Sequence, residues 1–389
     1  MIEKRRFKRE NGTDYPEWEK VRIGDVFTVT RGKVLATSLT KQQSDESFTY
    51  PVYSSQTKAN GLMGFYDEFL FTDAITWTTD GANAGEVRFR RDKFYCTNVC
   101  GVLLSEKYAN TAVSIAINRV THKYVSYVGN PKLMNGVMSV ITLSLPASTS
   151  EMTRISSLFE KIDQKINLLT KKKEALETYK KGLMQKIFSQ ELRFKREDGT
   201  DYPEWERVTI VDIAKVIGGG TPDTNVPLFW NGNINWFTPT EVGKKKYLSE
   251  SKRTITNEGL MRSSAKLLPK GTILLSTRAT IGETSIIRAE STTNQGFQNL
   301  VVSDSNDIEF VYYLISAMRK ELLRRSSGST FMEISKKEIA KIQCSIPILE
   351  EQQKIGLCLS SIDLKINQMD KKKEEVIKMK KGLLQQMFV

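Results

Sequence analysis

Residues 155–188 read ISSLFEKIDQKINLLTKKKEALETYKKGLMQKIF, and residues 355–388 read IGLCLSSIDLKINQMDKKKEEVIKMKKGLLQQMF. Sixteen of the thirty-four positions are identical, among them I-D-x-K-I-N, K-K-K-E and K-K-G-L. Each copy carries an apolar residue every seven positions: Ile155, Ile162, Leu169, Leu176 and Leu183, then Ile355, Ile362, Met369, Val376 and Leu383. Four residues after each come Phe159, Ile166, Lys173, Lys180 and Ile187, matched by Leu359, Ile366, Lys373, Lys380 and Met387. Two lysines therefore interrupt the stripe at the same places in both copies. This heptad pattern predicts a coiled-coil seam. Neither segment contains proline, and an uninterrupted helix of this length runs about 50 Å. Identical registers favour pairing of the two helices; the alternative is that each packs separately on its neighbouring domain.

A second repeat precedes the first. Residues 7–20 are FKRENGTDYPEWEK and residues 194–207 are FKREDGTDYPEWER, identical at twelve of fourteen positions. The order is thus opening motif, variable block and helix, then the same three again, a sign of internal duplication. The second block starts where the first helix ends and finishes where the second helix starts. Because domain termini usually lie close together, the helices are expected to run antiparallel, with a head at each end and approximate two-fold symmetry. The same symmetry places the motif at 7–20 beside the C-terminus at Val389.

Composition narrows the chemistry. The 389 residues predict two or three domains. The formal charge is +13, which points to a polyanionic partner, nucleic acid before an anionic membrane surface. No apolar run is long enough to span a bilayer, and the start MIEKRRFKRENG is not a secretory signal. His122 is the only histidine, which excludes paired-histidine catalysis and His-rich metal sites. The spacing of Cys96, Cys100, Cys344 and Cys358 matches no usual zinc pattern and fits reduced thiols in a cytoplasm. Phosphate-cradling glycine loops of the Walker and Rossmann kinds are missing from the sequence. The chain reads as a binder rather than a catalyst.

Both variable blocks are α+β. Short strand-like runs such as VRIGDVFTV, AITWTT, EVRFR and NVCGVLLS in the first, and VTIVDIAKVI, GTILLST, TSIIRA and FQNLVVS in the second, surround one main helix each, YANTAVSIAINRVTHKYV and DIEFVYYLISAMRKELLRR. Residues 80–85 (DGANAG) and 277–282 (TRATIG) correspond and end on a glycine suited to a tight turn between strands. The second block opens with IGGGTPD at 217–223, followed by FWNGNINWFTP at 229–239. Its amides, hydroxyls and aromatics can address bases and phosphates, or simply edge a core. The carboxylates Asp304, Asp307 and Glu309 cluster in sequence and are expected to be solvated loop charges.

These residues resemble the specificity subunit of type I restriction–modification enzymes over essentially the whole length. The resemblance rests on GGGTPDTNVPLFWNGNINWFTPTEV, on TRATIGETSII followed by TTNQGF, on the DYPEWEKV and DYPEWERV openings, and on the KKGLM and KKGLL helix ends. The first block departs from the pattern by carrying Thr30-Arg31-Gly32-Lys33 in place of GGTP. The resemblance implies two target-recognition domains, residues 1–148 and 191–348, separated by antiparallel spacer helices at 149–190 and 349–389. Each domain would read one half of a bipartite, asymmetric double-stranded DNA target. The helices would set the unread gap and dock two adenine-methyltransferase subunits, and restriction subunits would join. With no N-P-P-[FY] or D-P-P-[FY] motif in the chain, the subunit itself is expected to be non-catalytic and to hold no cofactor. S-adenosylmethionine, ATP and Mg would sit on the partners. The location implied is bacterial or archaeal cytoplasm, without membrane contact. The competing reading is a coiled-coil adaptor with two binding heads and no DNA role.

Polar loops on rigid heads commonly carry recognition. The DNA-contact candidates in the first head are therefore Arg31, Lys33, Ser55, Gln56, Lys58, Asn60 and Asn83. In the second they are Thr221, Asp223, Asn231, Thr238, Arg278, Thr280 and Gln295. Arg278 could grip a guanine edge bidentately or simply touch a phosphate.

Overall fold

The computed structural model describes residues 5–56, 58–278, 280–327 and 332–388, with the backbone alone at Lys58. It divides into two units, one made of residues up to Thr170 together with those from Lys371 on, the other of Lys171–Asp370. The heptad segments form two long helices, Thr149–Phe188 and Leu349–Met387, each shared between the units.

In the first unit Ile155, Phe159, Ile162 and Leu169 are buried, as are Val376 and Phe388. The Phe159 and Phe388 rings lie 6.0 Å apart, and Lys380 Nζ donates to Asp163 Oδ1 at 2.5 Å. In the second unit Ile187, Ile355, Leu359 and Ile362 join a core built around Phe310. There Lys180 Nζ donates to Asp363 Oδ1 and Lys173 Nζ to Asp370 Oδ2, both at 2.6 Å. Residue numbers rise on one helix as they fall on the other, so the pairing is antiparallel in each unit. The two alternatives read from sequence thus coexist: the helices pair with each other and also bury their ends in the heads. Three of the lysines that interrupt the seam, Lys173, Lys180 and Lys380, reach carboxylates of the facing helix. Each fully buried Ile, Leu or Phe contributes about 1.5–3 kcal/mol.

The opening motifs serve as clamps. Arg6 Nη2 meets Glu151 Oε2 at 2.9 Å and Pro16 O at 2.6 Å. Arg193 Nη2 meets Glu351 Oε2 at 2.9 Å and Pro203 O at 2.5 Å. Both glutamates are fully buried, so each needs its arginine. Arg5 N donates to Gln386 O at 3.0 Å, and Trp18 packs 5.5 Å from Phe388. The motif therefore sits beside the end of the second long helix, as the symmetry requires; Val389 itself lies outside the described residues.

The first unit's strands are β1 (Glu19–Arg22), β2 (Thr28–Arg31), β3 (Tyr50–Tyr53), β4 (Leu62–Tyr66), β5 (Phe71–Thr78), β6 (Val87–Cys96), β7 (Cys100–Leu104) and β8 (Thr142–Leu145). The second unit's are β9 (Glu206–Thr209), β10 (Ala214–Gly218), β11 (Trp230–Phe237), β12 (Tyr247–Leu248), β13 (Arg253–Ile255), β14 (Ile273–Leu275), β15 (Thr284–Ile287), β16 (Ser291–Thr293), β17 (Gln298–Val302) and β18 (Gln343–Ile346). Among the described residues the main sheets run β2-β7-β5-β6-β3-β4 and β10-β17-β14-β15-β12. The first five positions match strand for strand, including the one parallel neighbour, β3 on β6 and β12 on β15. The first head adds β4; the second adds a separate sheet, β13-β11-β16.

Two runs expected as strands are interrupted. VRIGDVFTV contains a helical turn at Ile23–Val26 and VTIVDIAKVI one at Ile210–Ile213. In each, the isoleucine that starts the turn is fully buried while the chain passes from a two-stranded ribbon (β1-β8, β9-β18) into the main sheet. The Thr209–Asp212 capping box holds the second turn. The main helices are Thr111–Thr121, capped by Asn110, and Ile308–Ala317, capped by Asp307. The latter run breaks at Met318 before continuing as Arg319–Arg324.

Candidate functional site

The departure Thr30-Arg31-Gly32-Lys33 proves to be the structural counterpart of the glycine run in the second head. A Cβ on Gly32 would stand 2.1 Å from Cys96 O, and one on Gly219 would stand 2.0 Å from Asn294 O, so only glycine fits at either place. Just beyond, Lys33 N donates to Cys96 O at 3.1 Å and Gly220 N to Thr293 O at 2.8 Å. The turns ending at Gly85 (φ 85°) and Gly282 (φ 84°) are also equivalent: Gly85 N donates to Thr78 O, Gly282 N to Ser276 O. Both glycines occupy the left-handed region that side chains disfavour.

In the first head these turns flank one cleft. Arg31 and Lys33 are exposed on either side of Gly32. Thr97, beside that glycine, donates to Ser54 Oγ at 3.0 Å. The cleft itself is lined by Ser54, Gln56, Asn60, Thr76, Glu86, Arg88 and Arg90, among others. Asn83 stands in the adjoining turn, where its carbonyl accepts from Glu86 N at 3.0 Å. The structure thus gathers Gln56 and Asn60, leaves Ser55 and Asn83 at the margin, and places the Lys58 side chain outside the described residues.

Arg88 and Arg90 escaped the sequence reading. The alternation V-R-F-R on β6, which puts both on one sheet face, is the signal that could have found them. The Arg90 guanidinium lies 3.7 Å over the Tyr53 ring. Its Nε donates to Thr76 Oγ1 at 3.0 Å and its Nη2 to Asn60 O at 2.8 Å. Burial, the largest influence on it, lowers its pKa from the ordinary value.

In the second head Thr221 Oγ1 donates to Gln295 Oε1, and Thr277 N donates to Gly296 O at 2.9 Å. Thr221, Gln295 and the 277–282 turn are thereby brought together. Arg278 is held by Glu333 at 3.0 Å, and Thr280 faces Ser276 Oγ at 2.9 Å. Two candidates serve their own backbone: Asp223 Oδ1 accepts from Asn225 N at 2.9 Å, and Thr238 caps a turn with Glu241. Asn231 is exposed with φ 59° at the β11 bulge, and among the described residues no hydrogen bond links it to the Thr221–Gln295 pair. The aromatics of FWNGNINW are core: Trp230 and Trp236 meet edge to face at 5.0 Å, and their indole N–H groups donate to Asp223 O and Gly220 O. Arg253, also unforeseen, stacks 3.7 Å over Trp230.

The acidic trio is not a set of solvated loop charges. Asp307 caps its helix, and Glu309 pairs with Lys246 and accepts from Ser360 Oγ at 2.9 Å. Lys246 Nζ donates to Tyr313 OH at 2.7 Å, and Tyr313 OH donates to Asp363 Oδ2 at 2.5 Å, tying the second head to the long helix. Burial lowers the Lys246 pKa, and Glu309 opposes that shift. Only Asp304 is exposed; it lines a wider hollow of about 640 Å³ with Asp212, Lys215 and Lys336, a mixed-charge surface with no sequence candidate.

Burial raises the Cys100 and Cys344 thiols to about 11, which keeps them protonated and inert. Among the described residues no three His, Cys, Asp or Glu side chains gather as metal ligands, and no helix is long and apolar enough to cross a membrane.

Comparison with known proteins adds an independent finding. A family model described as "Type I restriction modification DNA specificity domain" matches residues 15–178 and again 202–379. The chain is 37% identical over 207 residues to the type I restriction enzyme MjaIX specificity subunit of Methanocaldococcus jannaschii, covering 52% of this chain and 48% of that one. It is 27% identical to the EcoR124I/EcoR124II specificity subunit of Escherichia coli, covering 58% and 56%. The chain thus spans about half the length of these two relatives, whereas the M. jannaschii MjaVIII specificity subunit, 24% identical, is matched over 97% of this chain and 94% of its own. Among solved structures, the type I restriction–modification S subunit from M. genitalium shares the fold with a TM-score of 0.67 at 16% identity, covering 100% and 99% of the two chains. With both of its repeats matched, the chain belongs to the type I restriction–modification DNA specificity family.

Proposed function

We propose that the chain is the DNA-reading subunit of a type I restriction–modification assembly. Each head takes one half of a bipartite, asymmetric double-stranded target. The paired long helices set the unread gap and carry two adenine-methyltransferase subunits, with restriction subunits joining them in the cytoplasm of a bacterium or archaeon. S-adenosylmethionine, ATP and Mg belong to those partners, and this chain positions DNA without reacting with it. The observation that carries the proposal is a single sheet order in both heads bearing different side chains on its loops and faces. A shared scaffold with unlike contact surfaces suits a target whose halves differ. The charge of +13 suits phosphate contacts and a strong salt dependence. On this proposal the contacts come from Arg31, Lys33, Gln56 and Asn60 in one head and from Thr221, Asn231, Arg278 and Gln295 in the other. The adaptor reading without DNA is not favoured by the family.

The test is a graft. Replacing residues 18–148 with the corresponding block of a relative, in the presence of the methyltransferase partner, should change one half of the methylated site and leave the other as it was. Methylome sequencing reads the result. A folded graft that altered both halves would refute independent reading heads. The purified chain alone should transfer no methyl group from S-adenosylmethionine, and measurable transfer would refute the division of labour.

A further inference from the structure

One sheet face has opposite chemistry in the two heads. Strand pairing sets the equivalence: Ile75 opposes Leu103 and Phe89 as Ile273 opposes Leu300 and Ile286. Thr76, Arg88 and Arg90 therefore stand where Leu274, Ser285 and Ile287 stand in the second head. Leu274 and Ile287 are sealed in a cluster with Phe237, Val242, Leu248 and Phe297, and Phe237 is supplied by the added sheet through β11. Among the described residues the first head has no counterpart of that added sheet. It places two arginines on the same face, where they line a cleft with Gln56 and Asn60.

Arg90 is an uncompensated charge. Its contacts are a ring face, a hydroxyl and a backbone carbonyl, and no carboxylate among the described residues pairs with it. A half-buried guanidinium without a counterion costs stability unless something else gains from it. The Tyr53 ring and these two hydrogen bonds also fix its plane. The unbalanced positive charge favours a ligand rich in acceptors. The cleft holds only about 10 Å³, room for no more than about one water molecule, so a flipped-out base does not enter and only a base edge laid across its mouth can meet Arg88 and Arg90, which both line it. The Arg88 side chain is 37% exposed and is held by Glu86. A guanidinium of fixed orientation suits a paired acceptor, and a guanine edge offers such a pair as a phosphate does, so sequence discrimination and salt dependence separate the two.

We propose that Arg90, with Arg88 beside it, reads the major-groove O6/N7 edge of a guanine in the half-site taken by the first head. This rests on the DNA-reading function proposed above and assigns it two residues. The chain assembled with its methyltransferase partner is compared with R90K and R88Q by methylome sequencing across a range of salt concentrations. In the unaltered assembly one half-site contains a fixed G·C pair. R90K, which keeps the charge but loses the fork, lowers discrimination at that pair by roughly ten- to hundredfold and leaves the other half-site unchanged. R88Q relaxes the same pair or its neighbour to a smaller degree. A motif identical to the original in both variants would overturn the proposal. So would a uniform loss at all sites with a shallower salt dependence, the mark of a phosphate contact. Thermal unfolding checks each variant; if R90K does not fold, R88Q decides, an unchanged motif overturning the proposal and a relaxed one supporting it. An unaltered assembly that methylates no bipartite site would instead refute the function itself.

Discussion

In the first head the sheet face at Thr76, Arg88 and Arg90 opens on a cleft, while in the second the matching positions Leu274 and Ile287 are closed beneath Phe237 and Phe297. Yet the clamps below are copies: Arg6–Glu151 and Arg193–Glu351 share geometry, and Lys380–Asp163 mirrors Lys180–Asp363. The scaffold is thus held constant where it meets the long helices and left free to diverge on the far side of the sheet. A duplicated chain can change what one half contacts without disturbing the packing of the other. Each head also keeps one arginine stacked 3.7 Å over an aromatic ring, Arg90 on Tyr53 and Arg253 on Trp230, but on strands that are not equivalent. Similar chemistry has been built twice from different places.

Exchanging the two faces should have the largest effect. Ile287→Arg puts the first head's charge into the sealed cluster and should cost about 5 kcal/mol or more, enough to prevent folding of the second head. Urea unfolding measures it, and a tolerated arginine would show that the face is not sealed. Removing a clamp comes next. Glu151→Ala and Glu351→Ala each strand a half-buried arginine and should each cost about 3–5 kcal/mol. Equal losses in urea titrations would sharpen the equivalence of the repeats; a loss confined to one unit would break it. The helix lysines should differ more quietly. Lys180 contacts an Asp363 that is 19% exposed and also bound by Tyr313, so Lys180→Met should cost about 1.5–2 kcal/mol. Lys380 meets an Asp163 that is 53% exposed, and Lys380→Met should cost no more than about 1 kcal/mol. Equal values would mean that the buried network around Tyr313 adds nothing to the pair.

The repeats were legible because heptads and the DYPEWE motifs are local patterns that survive duplication. The antiparallel pairing followed from the order of segments, and the α+β heads from short apolar runs. Other features depended on contacts no local pattern carries. The turns at Ile23–Val26 and Ile210–Ile213 read as strand because β-branched Ile and Val surround their Gly24, Asp25 and Asp212, whereas the change of sheet requires a bend. The equivalence of Gly32 with Gly219 is set by carbonyls some 64 and 75 residues further on, at Cys96 and Asn294. Asp223 and Thr238 carry polar groups suited to DNA, but their own backbone uses them. Nothing local marks Arg90, whose significance lies in the missing carboxylate that only packing reveals.

The division of the chain also has a consequence for its synthesis. Lys171–Asp370 is one continuous stretch, but the other unit needs both its early residues and those from Lys371 on. On the ribosome the second head can therefore finish folding while the first still waits for its last strip of helix. Until residues 371–388 emerge, Phe159 has no Phe388 to pack on and Asp163 no Lys380 to meet. The portion translated first is the portion completed last, and during that interval the side of Phe159 that packs on Phe388 is open to neighbouring nascent chains.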